Sequence, residues 1–354
     1  MKKITIVLLS VLIFSACKND KETKENENDK KTEQLDNQEV GVQNETSGNE
    51  VAETEEPGLT SVHQNEDGSY SFRYNLIKGE TYPFALVINQ DQKMSAMGQN
   101  INLQASRTVV FDYLVEDVEN NQFKIKATFK KFSESSKTPE GSISYDTNNP
   151  KPADKDVAQS WSVYKSIAGE SFNMVINNKG KVVSISGLPK VIDSAMKKLA
   201  GDFGLDDQKQ IRKLLENSLS DASITSQFEE SMNIFPDKAM KIGEKWEDSQ
   251  KINEGPVKGE NKLTRTFKEI KDGRATIVVS GVQDVSGTET EKNSGITASM
   301  KNHATIEGFI DLDYKTGWIK KAKITKSEKI TTVYSRDDKK ETENSSQTVT
   351  TTVN

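Results

Sequence analysis

Histidine chemistry has little to work with in this chain, because His63 and His303 are its only imidazoles among 354 residues. A histidine metal centre or a Ser-His-Asp triad would need one of them set among partners. His63 falls in the acidic tether region. His303 falls in an alternating segment that reads as a strand, where an imidazole serves structure. HExxH, the phosphate-binding loop and GxSxG do not occur. Carboxylates could still support a hydrolase if two of them met in a cleft. Glu116-Asp117, however, would point to opposite faces of a strand, and Asp206 or Asp207 stands where a helix needs a cap. Asp311 and Asp313 share a face near a turn and could touch calcium, but the twelve-residue loop of calcium hands is missing. Trp161, Trp246 and Trp318, read at strand starts, could form a sugar-stacking platform and are better explained as core or rim. Met94, Met97, Met174, Met196 and Met232 could line an adaptable apolar pocket. No basic patch with interleaved aromatics points to nucleic acid. The expectation is a chain with no catalytic residue, no metal site and no cofactor.

The one thiol, Cys17, carries the most specific chemistry. Met1-Lys2-Lys3 is a positive start, and Ile4 to Phe14 is an apolar run of about eleven residues, too short for the twenty or so that span a bilayer. A basic start, a short apolar core and the small residues Ser15 and Ala16 make a secretory signal ending at Cys17. Phe14-Ser15-Ala16-Cys17 resembles the lipobox of bacterial lipoproteins, with Phe14 where Leu is usual. That resemblance implies a lipidated, acylated Cys17 as first mature residue and a membrane partner reached through the lipid. It leaves no thiol for a disulfide. Residues 18 to 60 hold five lysines against thirteen acidic residues, a net charge of −8. Such a stretch cannot bury enough apolar surface to offset its ordering entropy, so it reads as a disordered acidic tether. The whole chain carries −6 and the signal +2, so residues 61 to 354 sum to zero. Lys18 is not the aspartate of inner-membrane retention, which places the expected anchor at the outer membrane. Lys18-Asn19-Asp20-Lys21-Glu22 is similar to signals for display on the cell surface.

Beyond the tether, most of the chain reads as antiparallel strands. Phe123, Ile125, Ala127 and Phe129 share one face while Lys124, Lys126, Thr128 and Lys130 take the other, and Val109, Phe111, Tyr113 and Val115 repeat the pattern upstream. Glu119-Asn120-Asn121 supplies the turn between them. Phe172, Met174 and Ile176 lead into Asn177-Asn178-Lys179-Gly180, and Val183 and Ile185 return the chain. Tyr314-Lys315-Thr316-Gly317 does the same ahead of Trp318, Ala322 and Ile324. Thr331 to Tyr334 and Thr348 to Val353 read as a final hairpin. Between these groups the period changes. Val191, Ile192, Ala195, Met196 and Leu199 recur at three and four behind Pro189, then Ile211, Leu214, Leu215 and Leu219, then a segment from Ile224 to Met232.

Gly79-Glu80-Thr81-Tyr82 parallels Gly243-Glu244-Lys245-Trp246, and the two hairpins at Gly180 and Gly317 parallel each other, which suggests an internal duplication. The expected fold is α+β. Signal 1–17 and tether 18–60 precede a first β lobe, 61–188, a helical insert, 189–235, and a second β lobe, 236–354. The lobes form curved antiparallel sheet, and helices covering its concave side could enclose a cavity.

The strand order, Gly79-Glu80-Thr81-Tyr82, Gly141-Ser142-Ile143-Ser144-Tyr145-Asp146 and Ile176-Asn177-Asn178-Lys179-Gly180-Lys181-Val182 resemble the uncharacterised lipoprotein family known as domain of unknown function 6263, over roughly residues 70 to 330. That resemblance implies no activity. From the residues, the preferred expectation is a non-enzymatic module binding an apolar or lipid-like ligand. An accessory subunit meeting a protein partner in an outer-membrane assembly and a carboxylate-dependent hydrolase are the alternatives.

Overall fold

A computed structural model of the protein describes residues 60–354, apart from 97, 98, 140, 292 and 293. Cys17, the signal and nearly all of the tether therefore lie outside the described residues. A short pair, β1 (Val62–Gln64) and β2 (Tyr70–Phe72), precedes the long strands β3 (Thr81–Ala96), β4 (Gln99–Glu119), β5 (Gln122–Thr138) and the shorter β6 (Gly141–Asp146). After helix α1 (Lys155–Ile167) come β7 (Ser171–Asn177) and β8 (Val182–Ser186), then α2 (Leu188–Leu199), α3 (Leu205–Ser218) and α4 (Asp221–Met232). The chain finishes with β9 (Lys245–Glu254), β10 (Val257–Lys271), β11 (Arg274–Thr290), β12 (Thr297–Asp313), β13 (Ile319–Arg336) and β14 (Lys339–Val353).

All strands after the first pair join one curved antiparallel sheet, ordered β8-β7-β5-β4-β3-β14-β13-β12-β11-β10-β9, with β6 also on β5. The chain's last strand closes the gap between the two strand groups. β14 pairs with β13 along one side and, from Asn344↔Ser95 to Val353↔Leu86, with β3 along the other. Both groups thus share one sheet rather than forming two. Periodicity could not reveal this, since it states which face a residue takes and not which edge meets which.

The turns reflect their residues. Asn120 and Asn121 take φ of 51° and 57°, the left-handed region that asparagine tolerates, between β4 and β5. On the concave face, Gly281 and Gly308 let the sheet coil. A Cβ on either would collide with the carbonyl of Lys262 or Lys323 on the adjacent strand. β11 to β13 run 17, 17 and 18 residues, and their far ends carry no buried side chain on either face. That explains why apolar alternation fades in the threonine- and lysine-rich stretches.

The core lies at the other end, where the helices cover the sheet. Val191, Ala195 and Leu199 of α2, Ile211 and Leu215 of α3, and Phe228 and Met232 of α4 are buried with Ile125, Phe172, Met174 and Ile176 of the sheet. Each large apolar side chain among them contributes about 1.5–3 kcal/mol by leaving water. Residues 61–76 clasp this end. Ser61 and Val62 donate their amides to Lys315 and Tyr314, Asn75 donates to Thr316, and Tyr74 donates to Asn178, so both hairpin turns hang on one segment. Burial without an ionic partner drives the Tyr74 phenol pKa far up.

Several expectations need correction. His63 belongs to β1 rather than to the tether. Helix α1 is not announced by the sequence pattern, because its inward positions include Ser162 and Ser166 beside Val163 and Ile167, which hides the apolar stripe. Trp161 consequently sits on a helix and not at a strand start, donating Nε1–H to the Asp146 carbonyl at 3.1 Å. Asp206 and Asp207 occupy the first turn of α3, whose cap is Gly204. A register shift at Val175/Ile176 leaves Val183 exposed and brings Val182 against the core.

Candidate ligand-binding site

Helix α4 buries its apolar stripe, as a surface helix usually does, but its polar side also lines the interior of the fold. Its apolar residues Ile224, Phe228 and Met232 are buried among the other helices, the clasped end and the sheet, where the Phe228 ring meets Tyr113 of β4 edge-on at 5.8 Å. Three further contacts hold it there. The Met232 carbonyl accepts the Tyr74 hydroxyl at 2.7 Å, Glu229 Oε1 accepts the Val182 amide at 2.8 Å, and Ser220 caps the first turn through the Ser223 amide. The opposite side of α4, with Ser223, Ser226, Gln227 and Glu230, is left facing the concave sheet.

What it faces is apolar. Val279, Ile306, Ile310, Ile324 and Val353 project from β11 to β14, with Leu86 and Ile88 from β3 and Leu263 from β10. A polar helix face cannot close against such a surface, and a cavity of about 200 Å³ remains between them. For comparison, an engineered apolar cavity of about 150 Å³ admits benzene.

Polar groups of the sheet enter the cavity at few points. Among the described residues, five buried side-chain atoms make no hydrogen bond, and three of them, Asn261 Oδ1, Arg265 Nε and Thr351 Oγ1, belong to residues that line this cavity. Native proteins leave few buried polar groups unpaired, so such a concentration marks a place where a partner is expected. Arg265 is 7% exposed. Its Nη1 meets Asp248 on β9, and burial alone pulls its pKa down. Glu230 lines the cavity and is exposed. Desolvation by the surrounding protein still raises its pKa to about 8, against a weaker opposing pull from Lys326.

The residues singled out in the sequence fall elsewhere. His303 on β12 is exposed and contacts Asp284 through Nδ1 at 2.7 Å. Asp117 takes ion pairs from Lys78 and Lys124, which hold its pKa at about 2. Asp313 caps its own turn by accepting the amides of Lys315 and Thr316, and Asp311 accepts the Thr276 hydroxyl. No group of three or more His, Cys, Asp or Glu that could hold a metal is present among the described residues. Met174, Met196 and Met232 are core, Met94 is exposed, and Met97 lies outside the described residues, so the methionine pocket is not formed. Trp318 packs against Tyr82, Phe84 and Tyr113, and its Nε1–H donates to the Pro83 carbonyl, so it offers no platform. Among the described residues only one carboxylate, Glu230, lines the cavity. Sequence reasoning places a helix at Ile224 to Met232 but misses the role of its polar face and of Arg265. The signal it could have used was the polar run Ser223, Ser226, Gln227, Glu230 at helical spacing, opposite Ile224, Phe228 and Met232.

A family model described as a family of unknown function (DUF6263) matches residues 120–319, which include α4 and Arg265. No curated protein matches the sequence. Among solved structures, lipovitellin is 11% identical over 78% of this chain and 25% of its own, with a TM-score of 0.33, so this chain spans a quarter of its length. The β domain of the Bordetella autotransporter BrkA is 8% identical over 77% of this chain and 97% of its own, at 0.19. Pseudomonas aeruginosa OccK5 (OpdH) is 4% identical over 78% and 98%, at 0.23. Scores of this size carry no ligand or activity across.

Proposed function

Because the chain belongs to a family of unknown function, DUF6263, its membership brings no activity with it, and we propose from the geometry that it is a non-enzymatic module binding an apolar or lipid-like ligand. The observation that carries this reading is the polar face of α4 held over the apolar concave sheet, with the cavity between them. A helix serving only to seal the core would leave Ser223, Ser226, Gln227 and Glu230 to open water rather than over an apolar floor. The reading includes an anchor at the outer membrane through lipid on Cys17 and an acidic tether, supported by the lipobox-like Phe14-Ser15-Ala16-Cys17 and the charge of residues 18 to 60.

It also includes an origin by duplication around the helices. The hydrogen bonds at Gly79-Glu80 recur at Gly243-Glu244. Gly79 donates to Val115 and Glu80 to Ile77, and Val115 donates back to Glu80; Gly243, Glu244 and Phe267 repeat this with Phe267, Lys241 and Glu244.

Native mass spectrometry of the full chain extracted from its own envelope tests the binding reading. A retained small amphiphile, lost when the cavity is filled by Ser226→Leu, is the expected result. A chain that carries no ligand and takes up no neutral apolar dye such as N-phenyl-1-naphthylamine would overturn it.

A further inference from the structure

Directly opposed residues in antiparallel strands share a face. The register therefore places Arg265 on β10, Ile324 on β13, Thr351 on β14, Ile88 on β3 and Arg107 on β4 in one row across the concave sheet. The two arginines of this row are compensated differently. Arg107 faces Glu134, which is itself buried, at 3.4 Å, and Glu134 also accepts the Tyr145 hydroxyl at 3.1 Å. Arg265 has only Asp248, whose side chain is 59% exposed on the edge strand; the Nε of each arginine lacks a hydrogen bond, but only that of Arg107 lies near a buried carboxylate, at 3.4 Å. The charge of Arg265 is thus neutralised from the solvent side and uncompensated on the cavity side. A buried cation in that position attracts an anion, since desolvation makes an unpaired charge costly.

The apolar floor begins beside it. From Arg265 the lining runs through Val279, Ile310, Ile324 and Val353 to Leu86. Five strand spacings separate β10 from β3, roughly 24 Å along the sheet at about 4.8 Å each. One end of the sheet floor is therefore cationic and the rest of that floor, apart from Thr351, is apolar, beneath the polar face of α4. The other charged groups near it do not cancel this polarity. Lys326 is paired with Glu328 at 2.8 Å, Glu229 accepts the Val182 amide, and desolvation shifts Glu230 toward its neutral form.

We propose that this cavity takes a single-chain amphiphile bearing a carboxylate, its head at Arg265 and its chain lying across β11 to β14 toward β3. The inference rests on the binding reading above and adds the ligand's class and orientation. It applies equally to a free fatty acid and to a longer molecule that presents such a chain end.

Displacement of N-phenyl-1-naphthylamine from the full chain by dodecanoate, 1-dodecanol and dodecyltrimethylammonium at pH 7 tests it. A hydrogen bond to a charged group predicts that dodecanoate binds roughly 10- to 100-fold tighter than dodecanol, with the cationic amphiphile weakest. Arg265→Gln should bring acid and alcohol within about threefold of each other. Should that variant fail to fold by circular dichroism, Asp248→Asn provides an independent measure, because removing the exposed counter-ion should widen the preference for the acid. Equal binding of acid and alcohol by the wild type, or a preference that survives Arg265→Gln, or one that narrows in Asp248→Asn, would overturn the head-group assignment and leave the cavity reading standing. Failure of all three amphiphiles, and of the dye, would remove the cavity reading itself.

Discussion

Filling the cavity from the helix side separates a functional void from an incidental one. Ser226 lies on the face of α4 that lines it, so Ser226→Leu would place additional carbons against Ile306, Ile310 and their neighbours. At about 0.8 kcal/mol per buried methylene, and with about three carbons gained, the stabilisation is about 2 kcal/mol. The entropy of unfolding for a unit of this size is about 0.6 kcal/mol per kelvin, so the melting temperature should rise by about 3 °C. The same carbons occupy the space the dye and a ligand would use, and affinity for N-phenyl-1-naphthylamine should fall at least about tenfold, the loss of about 1.4 kcal/mol. Differential scanning calorimetry of ligand-free protein and a dye titration give both numbers. A stabilised protein with weakened binding is a trade of function for packing. The reasoning would be refuted by a lower melting temperature, which would mean the space is not there to be filled, or by unchanged dye affinity, which would put the dye elsewhere.

Single groups give further expected outcomes. Glu230 has a raised folded pKa, so its contribution to stability is fully present below the unfolded value near 4.5 and is lost as pH rises through about 8. The melting temperature of Glu230→Gln should therefore climb relative to wild type between those values and run parallel to it outside them; parallel curves throughout would show that the carboxyl is not desolvated. Asp117 behaves in the opposite sense. Its folded pKa of about 2 is depressed by Lys78 and Lys124, so the advantage of wild type over Asp117→Asn should be present at pH 7 and disappear as pH falls through about 2 in acid-melt experiments. Two glycines with positive φ should differ sharply in urea denaturation. Gly79→Ala, with open space around it, should cost about 1 kcal/mol from backbone strain alone. Gly180→Ala adds a collision with the Met232 carbonyl and the Tyr74 ring, at 2.5 and 2.8 Å, and should cost several-fold more; equal costs would mean α4 yields easily at its end.

Much of the fold is written locally. The alternation of Phe123, Ile125, Ala127 and Phe129 specifies a half-buried strand whatever it pairs with, because side chains alternate with a period of two. The asparagines at 120 and 121 specify its turn, and the spacing from Val191 to Leu199 specifies a helix with one apolar stripe. Even the net neutrality of residues 61 to 354 is countable from the chain. Helix α1 shows the limit of such local reading. Ser162 is buried through a contact with a distant element, donating to Asp202, and Ser166 donates to the Val163 carbonyl of its own helix, so the stripe exists in space and not in the letters.

The candidate site belongs to the same category. The residue types of α4 show that one face is polar and the other apolar, and by themselves they would send the polar face to water. Only the tertiary structure sets that face over the apolar part of the sheet, because Tyr74, Val182 and Tyr113 hold the helix from positions 158, 47 and 115 residues away in the chain. Arg265 is likewise an ordinary strand residue until the register between β9 and β12 places its Nε beside a hydrocarbon floor. Strand and helix identity are near-neighbour properties and survive in the sequence. Which edge meets which, and which face of a helix meets the core, depend on contacts summed over the whole chain. They are decided only when the last strand, β14, slots between β3 and β13.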